Sequence, residues 1–156
     1  MVKENKATLL NNMQTKLEEI EEMATELGIS DYFRNKKFIE VNAANILGHD
    51  WASKPYGADA YEMINNVEYP TEYKAAKEGG SFQFHWLSEN KMEKIRETQN
   101  CYFLVTEGVR ILSIYTIPTE NILDEINEKA TGSKAIGGHK SFSLKKLISL
   151  GANKIH

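Results

Sequence analysis

Asp59 opens one strand-like run, and Glu72 and Lys74 lie on the next, flanking Tyr73. Side chains alternate faces along a strand, so Glu72 and Lys74 point the same way and put an acid and an amine on one surface. Asp59, returned across a turn region at Ile64 to Asn66, can face them. Two carboxylates beside a lysine suit a hard divalent cation, which takes oxygen ligands and brings a phosphate and a water together. The chemistry that follows is hydrolysis of a phosphodiester. The same residue types also stand on solvated strands, so the elements that carry them decide the matter.

A chain of 156 residues is expected to form one domain with a hydrophobic core of its own. No basic leader with an apolar centre opens it and no run approaches a membrane span, so the expected location is the cytoplasm, without membrane insertion. Cys101, the single cysteine, sits in Cys-Tyr-Phe-Leu-Val and reads as a buried structural thiol. The net charge of −3 excludes a protein that coats nucleic acid by bulk positive charge. The charge is uneven, however. Glu18, Glu19, Glu21, Glu22 and Glu26 crowd the first helix, whereas Lys134, Lys140, Lys145, Lys146 and Lys154 follow Thr131 with no acid among them. Such a segment suits either a localised phosphate contact or a solvated lysine face.

The elements follow from apolar spacing. Leu9, Leu10, Met13, Leu17, Ile20, Ala24 and Leu27 recur by threes and fours, which predicts an amphipathic helix from Lys3 to Leu27 capped by Gly28. Phe38, Val41, Ala44 and Leu47 predict a second helix stopped at Gly48, with loop from His49 to Pro55. Strands are expected at Tyr56 to Met63, Val67 to Ala75 and Ser81 to Leu87, with Pro70 marking a bulge or an edge. Ser88 caps a helix through Arg96. Cys101 to Thr106 and Val109 to Ile117 form a hydrophobic hairpin, Thr119 caps a helix to Ala130, and Ser143 to Leu150 is a short basic helix ended by Gly151. This order points to an α/β or α+β domain with a mixed sheet flanked by helices, and the candidate site lies on the sheet.

Several segments in order resemble the PvuII-like type II restriction endonucleases, small members of the PD-(D/E)XK nuclease superfamily. They are Leu27-Gly28-Ile29-Ser30-Asp31-Tyr32-Phe33, Gly57-Ala58-Asp59-Ala60, Glu68-Tyr69 through Glu72-Tyr73-Lys74, and Phe82-Gln83-Phe84-His85. Lys94-Ile95-Arg96, the hairpin with Gly108 and Ile114-Tyr115, Gly138-His139-Lys140, and the closing Gly151-Ala152-Asn153-Lys154-Ile155-His156 complete the series. The resemblance covers most of the chain and departs from the family in four places. His85-Trp86-Leu87 stands where the family carries three histidines, Ser141-Phe142-Ser143 replaces a pair of asparagines, Tyr56 replaces an acid, and Ile95 replaces a tyrosine.

The resemblance implies a restriction-endonuclease-like fold over residues 1–156, with a helical dimerisation region at 1–47 and a catalytic and DNA-recognition region at 56–156. It assigns Asp59 and Glu72 as Mg²⁺ ligands with the Tyr73 carbonyl as a further oxygen, and sets Lys74 beside the attacking water. Ser81, Gln83 and His85 are the candidates for reading base edges. His139, Lys140 and Ser141 are candidates for backbone or base contacts, and Asn35 matches a minor-groove position. The plainer readings are a structural role for His85 and a turn residue at Asn35. The expected function is Mg²⁺-dependent cleavage of both strands of double-stranded DNA at a short palindrome by a homodimer. Two alternatives are a structure-specific nuclease resembling junction resolvases and a non-catalytic DNA-binding protein.

Overall fold

Apolar residues spaced by three and four build the first helix, α1 (Val2–Glu26), in the computed structural model of the chain, which describes residues 2–51, 58–85, 88–130 and 140–156. Gly28, at φ 75°, ends α1 in the left-handed conformation that costs glycine nothing. The N–H of Ile29 then reaches the Ala24 carbonyl at 2.8 Å and that of Gly28 the Thr25 carbonyl at 2.9 Å, closing the last turn. Residues up to Phe38 form one compact unit and Ile39–His156 a second. Within the first, the rings of Tyr32, Phe33 and Phe38 pack edge-on or tilted around a short 3-10 turn, Arg34–Lys36.

The unit boundary falls inside α2 (Lys37–Leu47), which buries Ile39, Ala43 and Ala44. The second unit continues with β1 (Asp50–Trp51), β2 (Ala60–Ile64), β3 (Val67–Lys77), β4 (Ser81–Phe84), α3 (Glu89–Glu97), β5 (Asn100–Glu107), β6 (Arg110–Pro118), α4 (Thr119–Ala130), β7 (Lys140–Ser143), α5 (Leu144–Ser149) and β8 (Asn153–Lys154). Asn65 and Asn66, at φ 51° and 62°, join β2 to β3. Two successive left-handed residues give a two-residue hairpin turn whose twist matches that of its strands, and asparagine tolerates that conformation best after glycine.

Six strands form a mixed sheet in the order β1-β2-β3-β5-β6-β8. β3 and β5 are parallel and every other pair is antiparallel. The β2–β3 ladder runs unbroken from Ala60 opposite Thr71 to Ile64 opposite Val67. Pro70 sits there without a bulge, because pairing of β3 with β5 begins only at Glu72 and leaves that stretch one ladder to satisfy. The crossover from β3 to β5 carries β4 and α3. β4 does not join the main sheet as the order of elements suggests; it pairs with β7 in a separate two-stranded ribbon.

The core of the second unit lies on one face of the sheet, where Cys101, Phe103 and Val105 of β5 meet Met92 and Ile95 of α3, Ile122 and Ile126 of α4, and Phe82, Phe84 and Phe142 of the ribbon. The result is an α+β domain, a mixed sheet flanked by helices. Among the described residues no helix is long and apolar enough to cross a membrane.

Candidate active site

In the parallel ladder Glu72 pairs with Cys101, Lys74 with Phe103 and Ala76 with Val105, so the acid and the amine share the core-bearing face of the sheet. On the neighbouring strand Ala60 stands opposite Thr71, which sets Asp59, one residue earlier, beside Glu72. The Tyr73 N–H donates to Asp59 Oδ2 at 2.7 Å, and Tyr73 is the residue between Glu72 and Lys74. Lys74 Nζ lies 2.7 Å from Glu72 Oε1, each side chain about one quarter exposed, at 26% and 25%. The ammonium also sits 4.9 Å from the centre of the Phe84 ring. The three residues singled out by type and spacing therefore converge.

Burial leads the electrostatics of Asp59, and neighbouring carboxylates add to it. Burial, then the carboxylates of Glu72 and Glu40, push the Asp59 carboxyl well above the usual aspartate range, against the Tyr73 N–H and the Lys74 charge. Burial works against the Lys74 ammonium, but the hydrogen-bonded Glu72 carboxylate, with Asp59 behind it, outweighs that and raises the lysine above its ordinary value. At neutral pH Lys74 is a cation. Glu40, on α2, is an acid that periodicity gave no reason to select.

No family model and no characterised protein matches this chain. The chemistry of the site rests on its own residues. Asp59, Glu72 and the Tyr73 carbonyl offer hard oxygen donors, while among the described residues no three of His, Cys, Asp and Glu converge as a cage. Mg²⁺ needs none, since it uses one or two carboxylates, waters and substrate phosphates. Asp59 lies beside the Glu72 and Glu40 carboxylates, whose charge opposes its own, so these oxygen donors fit a divalent cation.

Behind the site, on the opposite face of β3, Tyr73 anchors a buried polar network that sequence reasoning missed. Its hydroxyl lies 2.7 Å from His49 Nδ1, and His49 Nε2 lies 3.7 Å from Glu62 Oε2. Tyr102 donates a short hydrogen bond to Glu62, and Asn100 Nδ2 donates to Glu62 Oε1 at 3.1 Å. Burial lowers the His49 pKa, opposed by the Glu62 charge, and burial keeps the Tyr73 phenol protonated. Tyr73 thus gives its side chain to this network and its N–H to Asp59.

The reading candidates divide. Ser81 and Gln83 are exposed on β4, with Phe82 and Phe84 buried on its other face. In the ribbon Gln83 faces Ser141 and Ser81 faces Ser143, giving one polar side. His85 follows β4, exposed, with its carbonyl accepting from Lys91 Nζ at 2.8 Å. Lys140 is bound into the fold, its ammonium 3.6 Å from Glu125 Oε2 and 5.3 Å from the Phe142 ring centre. Asn35, in the 3-10 turn of the first unit, adopts φ 52°, a conformation that asparagine tolerates. His139 lies outside the described residues.

Cys101 is buried, its Sγ 3.5 Å from Thr119 Oγ1, and burial pushes its pKa up to about 11. It is not set up as a nucleophile.

Proposed function

We propose that the chain is a type II restriction endonuclease, a Mg²⁺-dependent homodimer that hydrolyses both strands of duplex DNA at a short palindrome. One observation carries the reading: Asp59 is held on the Tyr73 N–H, between a glutamate and a lysine that share one face. The resemblance to the PD-(D/E)XK nucleases assigns the same three residues to phosphodiester cleavage. Asp59 and Glu72, with the Tyr73 carbonyl, would hold Mg²⁺, which supplies the positive charge that neutralises the anionic phosphate. Lys74, a cation at neutral pH, orients a water at the phosphorus and favours its hydroxide form. The polar side of the β4–β7 ribbon, with Ser81, Gln83 and Ser141, supports base reading, because the major groove admits a two-stranded β-ribbon. Two copies related by a twofold axis match a palindrome and cut both strands.

The test is incubation of a mixed set of plasmids with the protein and Mg²⁺, followed by sequencing of the fragment ends. Discrete fragments sharing one terminal sequence are expected. Preference for branched substrates would indicate a junction resolvase, and intact plasmid in Mg²⁺ and Mn²⁺ despite tight duplex binding would indicate a non-catalytic binder.

A further inference from the structure

The cleft that opens onto Glu72 and Lys74 has a volume of about 180 Å³, and α3 contributes Lys91 and Lys94 to its wall. We infer that Lys91 and Lys94 form a seat for a backbone phosphate of duplex DNA next to Lys74 and the site of cleavage. This rests on the nuclease reading of Asp59, Glu72 and Lys74, and adds to it the residues that grip the substrate.

Charge is the first support. The chain as a whole carries −3, yet this cleft gathers three lysines against one glutamate. That glutamate is already paired with Lys74. Among the described residues, neither Lys91 nor Lys94 has a carboxylate within ion-pair distance, whereas Lys140 and Lys146 both meet Glu125. Uncompensated cations around a concave surface select an anion.

Size is the second. Pockets for whole small molecules hold roughly 300–1,000 Å³, so this smaller cleft suits one charged group of a longer polymer.

Placement is the third. Ser88 caps α3 by accepting the Lys91 N–H at 3.2 Å, and the Lys91 side chain reaches back to the His85 carbonyl at 2.8 Å. An ammonium has three N–H donors, so Lys91 can hold the end of β4 and a phosphate oxygen together. The seat thus joins the strand proposed to read DNA to the residues proposed to cut it.

The experiment measures binding to a short duplex of mixed sequence by fluorescence anisotropy, without divalent metal, over a range of salt concentrations. Each lost phosphate contact lowers the slope of log affinity against log salt by about one. The double variant Lys91→Gln/Lys94→Gln is expected to lose about two from that slope, Lys94→Gln alone about one, and Arg110→Gln, a charge-matched change at the start of β6, none. The single Lys94 variant leaves the His85 contact intact, so it stands if the double variant fails to fold. Unchanged slopes in a chain that still cleaves plasmid overturn the phosphate seat and leave the nuclease reading intact. A larger loss on single-stranded RNA than on duplex overturns the choice of DNA. A wild-type protein that neither binds duplex nor cleaves it in Mg²⁺ removes both.

Discussion

Asp59 is held in an unfavourable state, and that has a measurable cost. An unperturbed aspartate titrates near 3.8, and in the folded chain burial, then Glu72 and Glu40, raise the Asp59 value well above that. The folded state therefore holds the proton more tightly than the unfolded one. Between the two values stability falls as pH rises, and the full cost is present above the folded value. Asp59→Asn keeps an oxygen for the Tyr73 N–H and removes the charge. Its melting temperature at neutral pH is expected to exceed that of wild type, by about 2–4 °C for each kcal/mol gained, with the excess shrinking as pH falls toward the unfolded value. Mg²⁺ is expected to raise the wild-type melting temperature and leave that of the variant unmoved. Thermal melts with and without Mg²⁺ check both points; a variant less stable than wild type at neutral pH, or an equal Mg²⁺ shift in both, contradicts this account.

That Asp59, Glu72 and Lys74 would stand together was legible because it depends on a period of two and on neighbouring strands, and both survive in a sequence. Glu40, His49, Glu62 and Tyr102 were not legible. They come from separate segments and acquire partners only when the fold brings those segments together. Lys91 was equally silent, being one lysine among several until the fold placed it at the cleft.

At the scale of elements, long periodic segments and their caps were readable. Gly28 and Gly48 end helices, Ser88 begins one, and the β5–β6 hairpin spans the expected apolar runs. The short strands β1, β7 and β8 were missed, since two to four residues carry no period to detect. The separate pairing of β4 with β7 was hidden for another reason: a strand's partner is a tertiary choice that local pattern does not encode. Ser88 starts the helix that bears the cleft lysines. Loss of its side-chain bond to the Lys91 N–H in Ser88→Ala is expected to cost about 1 kcal/mol, lowering the melting temperature by about 2–4 °C. Because the helix it starts bears Lys91 and Lys94, duplex affinity is expected to fall with it. Unchanged melting and affinity would show that the cap contributes nothing.

For the molecule as a whole, the proposal requires two copies. Leu10, Met13 and Leu17 follow helical spacing on α1 and are 64%, 59% and 43% exposed in the single chain. An apolar stripe of that kind is suited to pairing with another helix. Leu10→Lys with Leu17→Lys is expected to shift the protein from dimer to monomer in sedimentation and to convert double-strand cleavage into nicking of circular plasmid. A double variant that stays dimeric would place the interface elsewhere.

The claim beneath all of these is that Asp59, Glu72 and Lys74 form a metal-dependent centre for phosphodiester hydrolysis. It is tested most directly by comparing wild type and Lys74→Ala on plasmid DNA in Mg²⁺, alongside mobility shift of the same DNA in Ca²⁺. Cleavage by wild type alone is expected, with duplex binding retained by both. Cleavage by Lys74→Ala at the wild-type rate, or its loss together with duplex binding, would contradict the claim.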